Sequence, residues 1–178
     1  MVAHRAGVGV GTVYRRFPNK EPLVEALFEE AIDGIVQIAV EAASIASSWD
    51  GLVFFMERAS QRQAEDLGLR DVMLHSKYGR DRVAQARDRI IPVVGRLVER
   101  AQHDGHLRTD IVAADIPIIE FMVNAVAGRT SDLAPQLWRR YLTIILDGLS
   151  NRDVPTRELP PPPDEGVVEE ALTSPRAD

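Results

Sequence analysis

The 178-residue sequence predicts an all-α protein, and two observations carry that expectation. Apolar residues recur at steps of three and four rather than in alternation, which is the period of a helix face and not of a strand. Glycines and prolines fall between these periodic runs and mark their ends.

Two short helices come first, Val2–Ala6 and about Gly9–Arg16, joined by a turn that contains Gly7. A long helix is expected after Phe17-Pro18-Asn19, with Asn19 as its N-cap and Pro22 in the first turn, where a missing N–H is tolerated. Its apolar positions are Val24, Phe28, Ile32, Ile35, Ile38 and Ala42. It should run to about Ala46, a length of roughly 40 Å at 1.5 Å per residue. Ser47-Ser48 breaks it, and Trp49-Asp50 opens a second helix through Leu52, Phe55, Met56 and Ala59 to Leu67-Gly68. A short helix over Arg70–His75 follows. Another spans Arg82 to His103, with Ile90, Ile91, Val94, Leu97, Val98 and Ala101 on its apolar face. Pro92 lies inside it and should kink or split it, because proline lacks the donor and crowds the preceding turn. Asp104-Gly105 is a suitable stop.

The last two helices, about Ala113–Gly128 and Ala134–Ser150, are apolar around most of their circumference. A helix on the surface of a monomer needs only one apolar stripe. The surplus points to a partner surface, for which Ile119, Leu137, Trp138, Tyr141, Ile145 and Leu149 are the candidates and a second copy of the chain the expected partner. From residue 151 the composition changes: six prolines, four of them consecutive at 160–163, sit among acids, as in a disordered tail. The organisation expected is therefore a small unit over 1–27, a helical body over 28–150 and an acidic proline-rich tail over 151–178.

Composition narrows the class. A hydrophobic fraction of 45% with 27% charged residues suits a globular protein. The absence of cysteine removes disulfides and thiolate metal sites and fits a reducing cytoplasm. No run of eighteen apolar residues is present to cross a membrane, and the arginine-bearing start is not a signal peptide. The net charge is −6, yet residues 1–20 carry Arg5, Arg15, Arg16, Lys20 and no acid, so +4 at that end leaves −10 on the rest. A basic end on an acidic body is the asymmetry expected when one end meets a polyanion.

That basic end has an arrangement to match. Two short helices around a glycine turn form a helix-turn-helix, and the second is slim enough for a major groove about 12 Å wide. Thr12, Tyr14, Arg15, Arg16 and Lys20 fall on or just after it, and are side-chain types that reach phosphates and base edges.

The string Val2-Ala3-His4-Arg5-Ala6-Gly7-Val8, then Gly11-Thr12-Val13-Tyr14, Phe17 and Lys20-Glu21-Pro22-Leu23, resembles the DNA-binding signature of the TetR family of regulators. The likeness covers some 25 residues in order, and the helix count and order of the rest are similar to the family as well. The connector Gly105–Asp110 resembles the family's turn ahead of its dimerisation helices. The resemblance implies that Thr12, Tyr14 and Lys20 meet the DNA backbone while Val10, Gly11 and Arg15 face base edges. Arg16 stands where the family often has histidine, and its guanidinium still suits a phosphate. Gly9 replaces a frequent serine cap, which should weaken the start of that helix by a few tenths of a kcal/mol. The family also places a complete helix ahead of Val2, so its first helix is expected to be missing from the unit as it stands.

The fold class expected is thus a helix-turn-helix, lacking its first helix, on a larger helical ligand-binding and dimerisation domain. The function implied is a repressor: a homodimer on a palindromic double-stranded operator, released by a small-molecule inducer, in the cytoplasm. Phe54, Phe55, Met56, Met73, His75, Phe121, Met122 and Asn124 are the residue types that line such a pocket. No cofactor is expected. Two other classes compete. A truncated dimerising ligand-binding module would keep the body and lose DNA. A metal-dependent enzyme would draw on His103, Asp104, His106 and Asp110, but these sit at a helix end and loop with no second ligand cluster, so neither a metal site nor a catalytic residue is expected.

Overall fold

The computed structural model describes residues 20–65, 79–151, 157 and 159–161. Five helices make up the described chain: α1 Lys20–Ser44, α2 Ser48–Glu65, α3 Gly79–His103, α4 Asp115–Thr130 and α5 Leu137–Leu149. The expected helices at 2–6, 9–16 and 70–75, and nearly all of the tail, lie outside the described residues.

The break between α1 and α2 is sharper than the sequence suggested, and it is also a cap. Ser44 Oγ donates to Glu41 O at 2.6 Å and closes α1. Ser47 Oγ then accepts the Asp50 N–H at 3.2 Å, satisfying one of the donors that a helix start leaves unpaired. The two helices cross closely at Gly51, where a Cβ would lie 2.6 Å from Ala42 O, so this contact admits only glycine unless the backbone yields.

Pro92 does not split α3, which is continuous from Gly79 to His103. The residue lies on the exposed side of the helix, away from the packed face. At the far end, Gly105 N donates to Gln102 O and His106 N to Ala101 O, both at 2.9 Å, with Gly105 at φ 77°. That is a Schellman stop, and the left-handed residue it needs is the glycine that marked it in the sequence. The connector is then tied down: Leu107 is fully buried, Arg108 N donates to Leu149 O at 3.1 Å, and Asn151 N donates to His106 O at 2.8 Å.

The core is shared by all five helices. α2 sits at its centre and packs on each of the other four, while α1 also packs on α3, and α4 on α5. Phe55, Met56 and Ala59 of α2 meet Val94, Leu97 and Val98 of α3, Ile116 and Val123 of α4, and Trp138 and Leu142 of α5 in one cluster. Removing such side chains from water at about 25 cal/mol per Å² is what holds the bundle together. No helix among the described residues is long and apolar enough to cross a membrane.

Candidate functional site

The DNA-contact candidates Val10, Gly11, Thr12, Tyr14, Arg15 and Arg16 lie outside the described residues. Lys20 is the first residue of α1. In sequence the basic segment runs directly into α1.

Three arginines hold it. Arg62 of α2 lies over Gly34 and donates to Glu30 O at 3.3 Å. Arg89 of α3 bridges Glu29, at 2.8 Å, and Asp33, and these carboxylates raise its pKa. Arg100 of α3 donates to Ala43 O at 2.9 Å and to Ile45 O and Ala46 O at 2.6 Å, a positive charge set against the carbonyl end of α1. α1 is therefore latched to α2 and α3 along its length by a group on each.

The pocket candidates separate. Phe55, Met56 and Asn124 are buried between α2 and α4, and Phe54 is half-buried against the same core. Phe121 and Met122 lie on the outer side of α4, 40% and 48% exposed. Met73 and His75 lie outside the described residues.

Two residues that the sequence reading passed over bring chemistry to that core. Ser60 of α2 and Glu120 of α4 are both buried, and Ser60 Oγ donates to Glu120 Oε2 at 2.7 Å. Asn124, one turn on, donates from Nδ2 to Gln63 Oε1 at 2.9 Å and to Glu120 O at 2.8 Å. Burial pushes the Glu120 carboxyl up to about 8, against the opposing pull of the Ser60 hydroxyl. The signal was legible: Glu120 is the one charged residue between Asp115 and Arg129, and it falls on the stripe of Ile116, Ile119 and Val123.

The partner-surface candidates also separate. Trp138, Ile119 and Leu149 are covered within the chain, at 2%, 7% and 7% exposure. Leu137 and Ile145 are half-buried and Tyr141 is 44% exposed. Ile144 on α5 and Phe121 and Met122 on α4 are exposed as well. α5 thus has one stripe turned inward (Trp138, Leu142, Leu146, Leu149) and a second turned out (Leu137, Tyr141, Ile144).

Of the groups considered for an enzyme, His103 Nδ1 and Asp104 Oδ1 lie 3.2 Å apart on the surface, and Asp110 is engaged by Arg108, whose guanidinium lowers its pKa. His106 lines an open cleft with Trp49, Asp147, Ser150 and Asn151. Among the described residues no three such side chains gather as a metal site would require.

Residues 1–27 match the family model for bacterial regulatory proteins of the TetR family. Residues 49–151 match the model for the C-terminal domain of SbtR-like transcriptional regulators. The structure is similar to that of a TetR transcriptional regulator from Streptomyces coelicolor, at 25% identity and a TM-score of 0.63, over 84% of this chain and 85% of that one. It is similar also to a TetR transcription regulatory protein from Mycobacterium vanbaalenii, at 29% identity and a TM-score of 0.61, over 84% of this chain and 80% of that one. No curated protein sequence matches the chain. A body that is helical over its described residues, a match to the family's N-terminal model at the basic end and a match to its C-terminal domain over more than half the length agree: the chain belongs to the TetR family of transcriptional regulators.

Proposed function

We propose that the protein is a ligand-responsive repressor that binds a palindromic operator as a homodimer in the cytoplasm. The observation that carries the reading is the continuity of the basic segment with α1, and of α1 with the body through Arg62, Arg89 and Arg100. A helix latched at several points moves as a unit when its supports move. A small molecule that favours one arrangement of α2 and α3 would then change the separation of two recognition helices, a shift of population between states of different DNA affinity.

The exposed apolar face of α4 and α5 supplies the surface for the second copy. Phe121 and Met122 on α4 and Tyr141 and Ile144 on α5 are large apolar side chains left exposed on two helices that pack together, and exposed apolar surface of this kind marks an association surface. Pairing two copies through it would form a four-helix interface with two-fold symmetry, the symmetry of a palindrome.

Fluorescence anisotropy on duplex DNA from the region beside the coding sequence tests the reading. Lys20→Ala should weaken binding to every duplex and reduce the salt slope by about one, as the loss of one phosphate contact does. Arg15→Ala should instead relax the preference among sequences. Unchanged affinity and slope in Lys20→Ala would remove the phosphate role.

A further inference from the structure

We infer that Glu120, flanked by Ser60 and Asn124, is the recognition point for an organic ammonium, so that the effector of this regulator is a protonated amine on an apolar body. The inference rests on the reading of the chain as ligand-responsive and names the chemistry of the ligand.

The geometry gives the reason. Glu120 Oε2 has its donor in the Ser60 hydroxyl, whereas Oε1 is shielded from water and has no hydrogen-bond partner. The amide donors beside it are already committed, since Asn124 Nδ2 serves Gln63 and the Glu120 carbonyl. A buried polar atom left this way is destabilising, and a glutamine or an apolar residue would fill the position more cheaply. Once the carboxyl gives up its proton, what completes it is a donor, and one that carries positive charge repays the removal of the carboxylate from water. A divalent cation needs several oxygen or nitrogen ligands, and no such group of three stands among the described residues. The surroundings suit the rest of the molecule: Met56 lies one turn before Ser60, and Ile116 and Val123 lie one turn to either side of Glu120, all buried.

Among the described residues no other ionisable group pairs with the carboxyl. On α2, Glu57, Arg58, Arg62 and Glu65 are exposed; on α5, Arg140 and Asp147 are exposed and Arg139 is engaged with Gln136, Gln61 and the Trp138 ring. On α4 itself, Arg129 is exposed and Asp115 accepts Val112 N. The site also has a line to α1. Ser60 lies two residues from Arg62, so an amine wedged between α2 and α4 shifts the helix that bears one of the α1 latches.

The probes are the primary alkylamines from butyl to octyl, with the alcohols and carboxylates of equal chain length as controls, titrated calorimetrically into the full chain in two buffers of different ionisation enthalpy. The amines should bind at least tenfold more tightly than the alcohols, and the carboxylates should not bind. Because the Glu120 carboxyl titrates near 8, about nine-tenths of it is protonated at pH 7, and amine binding should release about that fraction of a proton. Affinity should rise about tenfold per pH unit from 6 towards 8, level off, and fall above about 10 as the amine discharges. Glu120→Gln should abolish both the preference for amines and the proton release.

The proton count and the pH profile are read on the unmodified chain, so they stand even if the variant folds poorly. Equal binding of alcohols, no proton release, undiminished amine binding by Glu120→Gln, or no binding of any amine would each overturn the inference. Operator affinity without amine, measured alongside, separates the two readings. Intact DNA binding with no amine effect removes the amine site alone, whereas amine binding without any operator affinity removes the repressor.

Discussion

A carboxyl group in a hydrophobic core is the feature on which most of the chemistry turns, and its behaviour with pH is fixed by its surroundings. Glu120 has its pKa raised by burial to about 8 in the fold, against an ordinary value of 4.5. Below the ordinary value both folded and unfolded chains are protonated and nothing is lost. As pH rises from there, the unfolded chain ionises while the folded one holds its proton, and stability drains away until the folded carboxyl itself titrates. The slope is at most about 1.4 kcal/mol per pH unit, so the loss between pH 5.5 and 7.5 attributable to this residue is up to about 3 kcal/mol. Urea melts of the wild type and Glu120→Gln at those two pH values should differ by that decline, and parallel pH dependence in both would deny it. Sequence inspection could have reached Glu120 from its position on the stripe of Ile116 and Val123. Its partner Ser60 was out of reach, because a pairing across 60 residues is made by the packing of α2 on α4 and not by local spacing.

Among the described residues the helix order and most helix ends were legible because local chemistry sets them: the glycine at the end of α3 and the break after α1 act within one turn. What the sequence could not show was how one helix meets another. Pro92 read as a kink or a split because its neighbours across the bundle were unknown; α3 is continuous, with the proline on its exposed side. Arg100 gave no signal either, since the three carbonyls it serves are more than fifty residues away. Arg100→Met should keep the aliphatic stem and lose those charge-assisted bonds, lowering stability by about 1.5–3 kcal/mol in chemical denaturation. Gly51→Ala should destabilise by about 1–3 kcal/mol, because its methyl group meets the Ala42 carbonyl rather than a side chain that can turn aside. A Gly51→Ala chain as stable as the parent would mean that the α1–α2 crossing is looser than described.

For the whole molecule, the excess of apolar residues on the last two helices divides into two populations that periodicity alone could not sort. Trp138, Ile119 and Leu149 close the core of one chain, while Tyr141, Ile144, Phe121 and Met122 remain outside it. Sedimentation should therefore show a dimer at micromolar concentration, and Tyr141→Glu or Ile144→Glu, both at exposed positions, should yield a folded monomer. A standard interface of about 1,200 Å² or more in total is the size expected for such a pair. A wild-type monomer would remove the two-fold axis on which the proposed operator recognition depends. The central claim is that two basic ends, carried on latched α1 helices, read DNA together. Enrichment of bound duplexes from a random-sequence library by the full chain tests it most directly. A palindromic consensus with half-sites at a fixed spacing is the predicted result, and recovery of no sequence above background would contradict it.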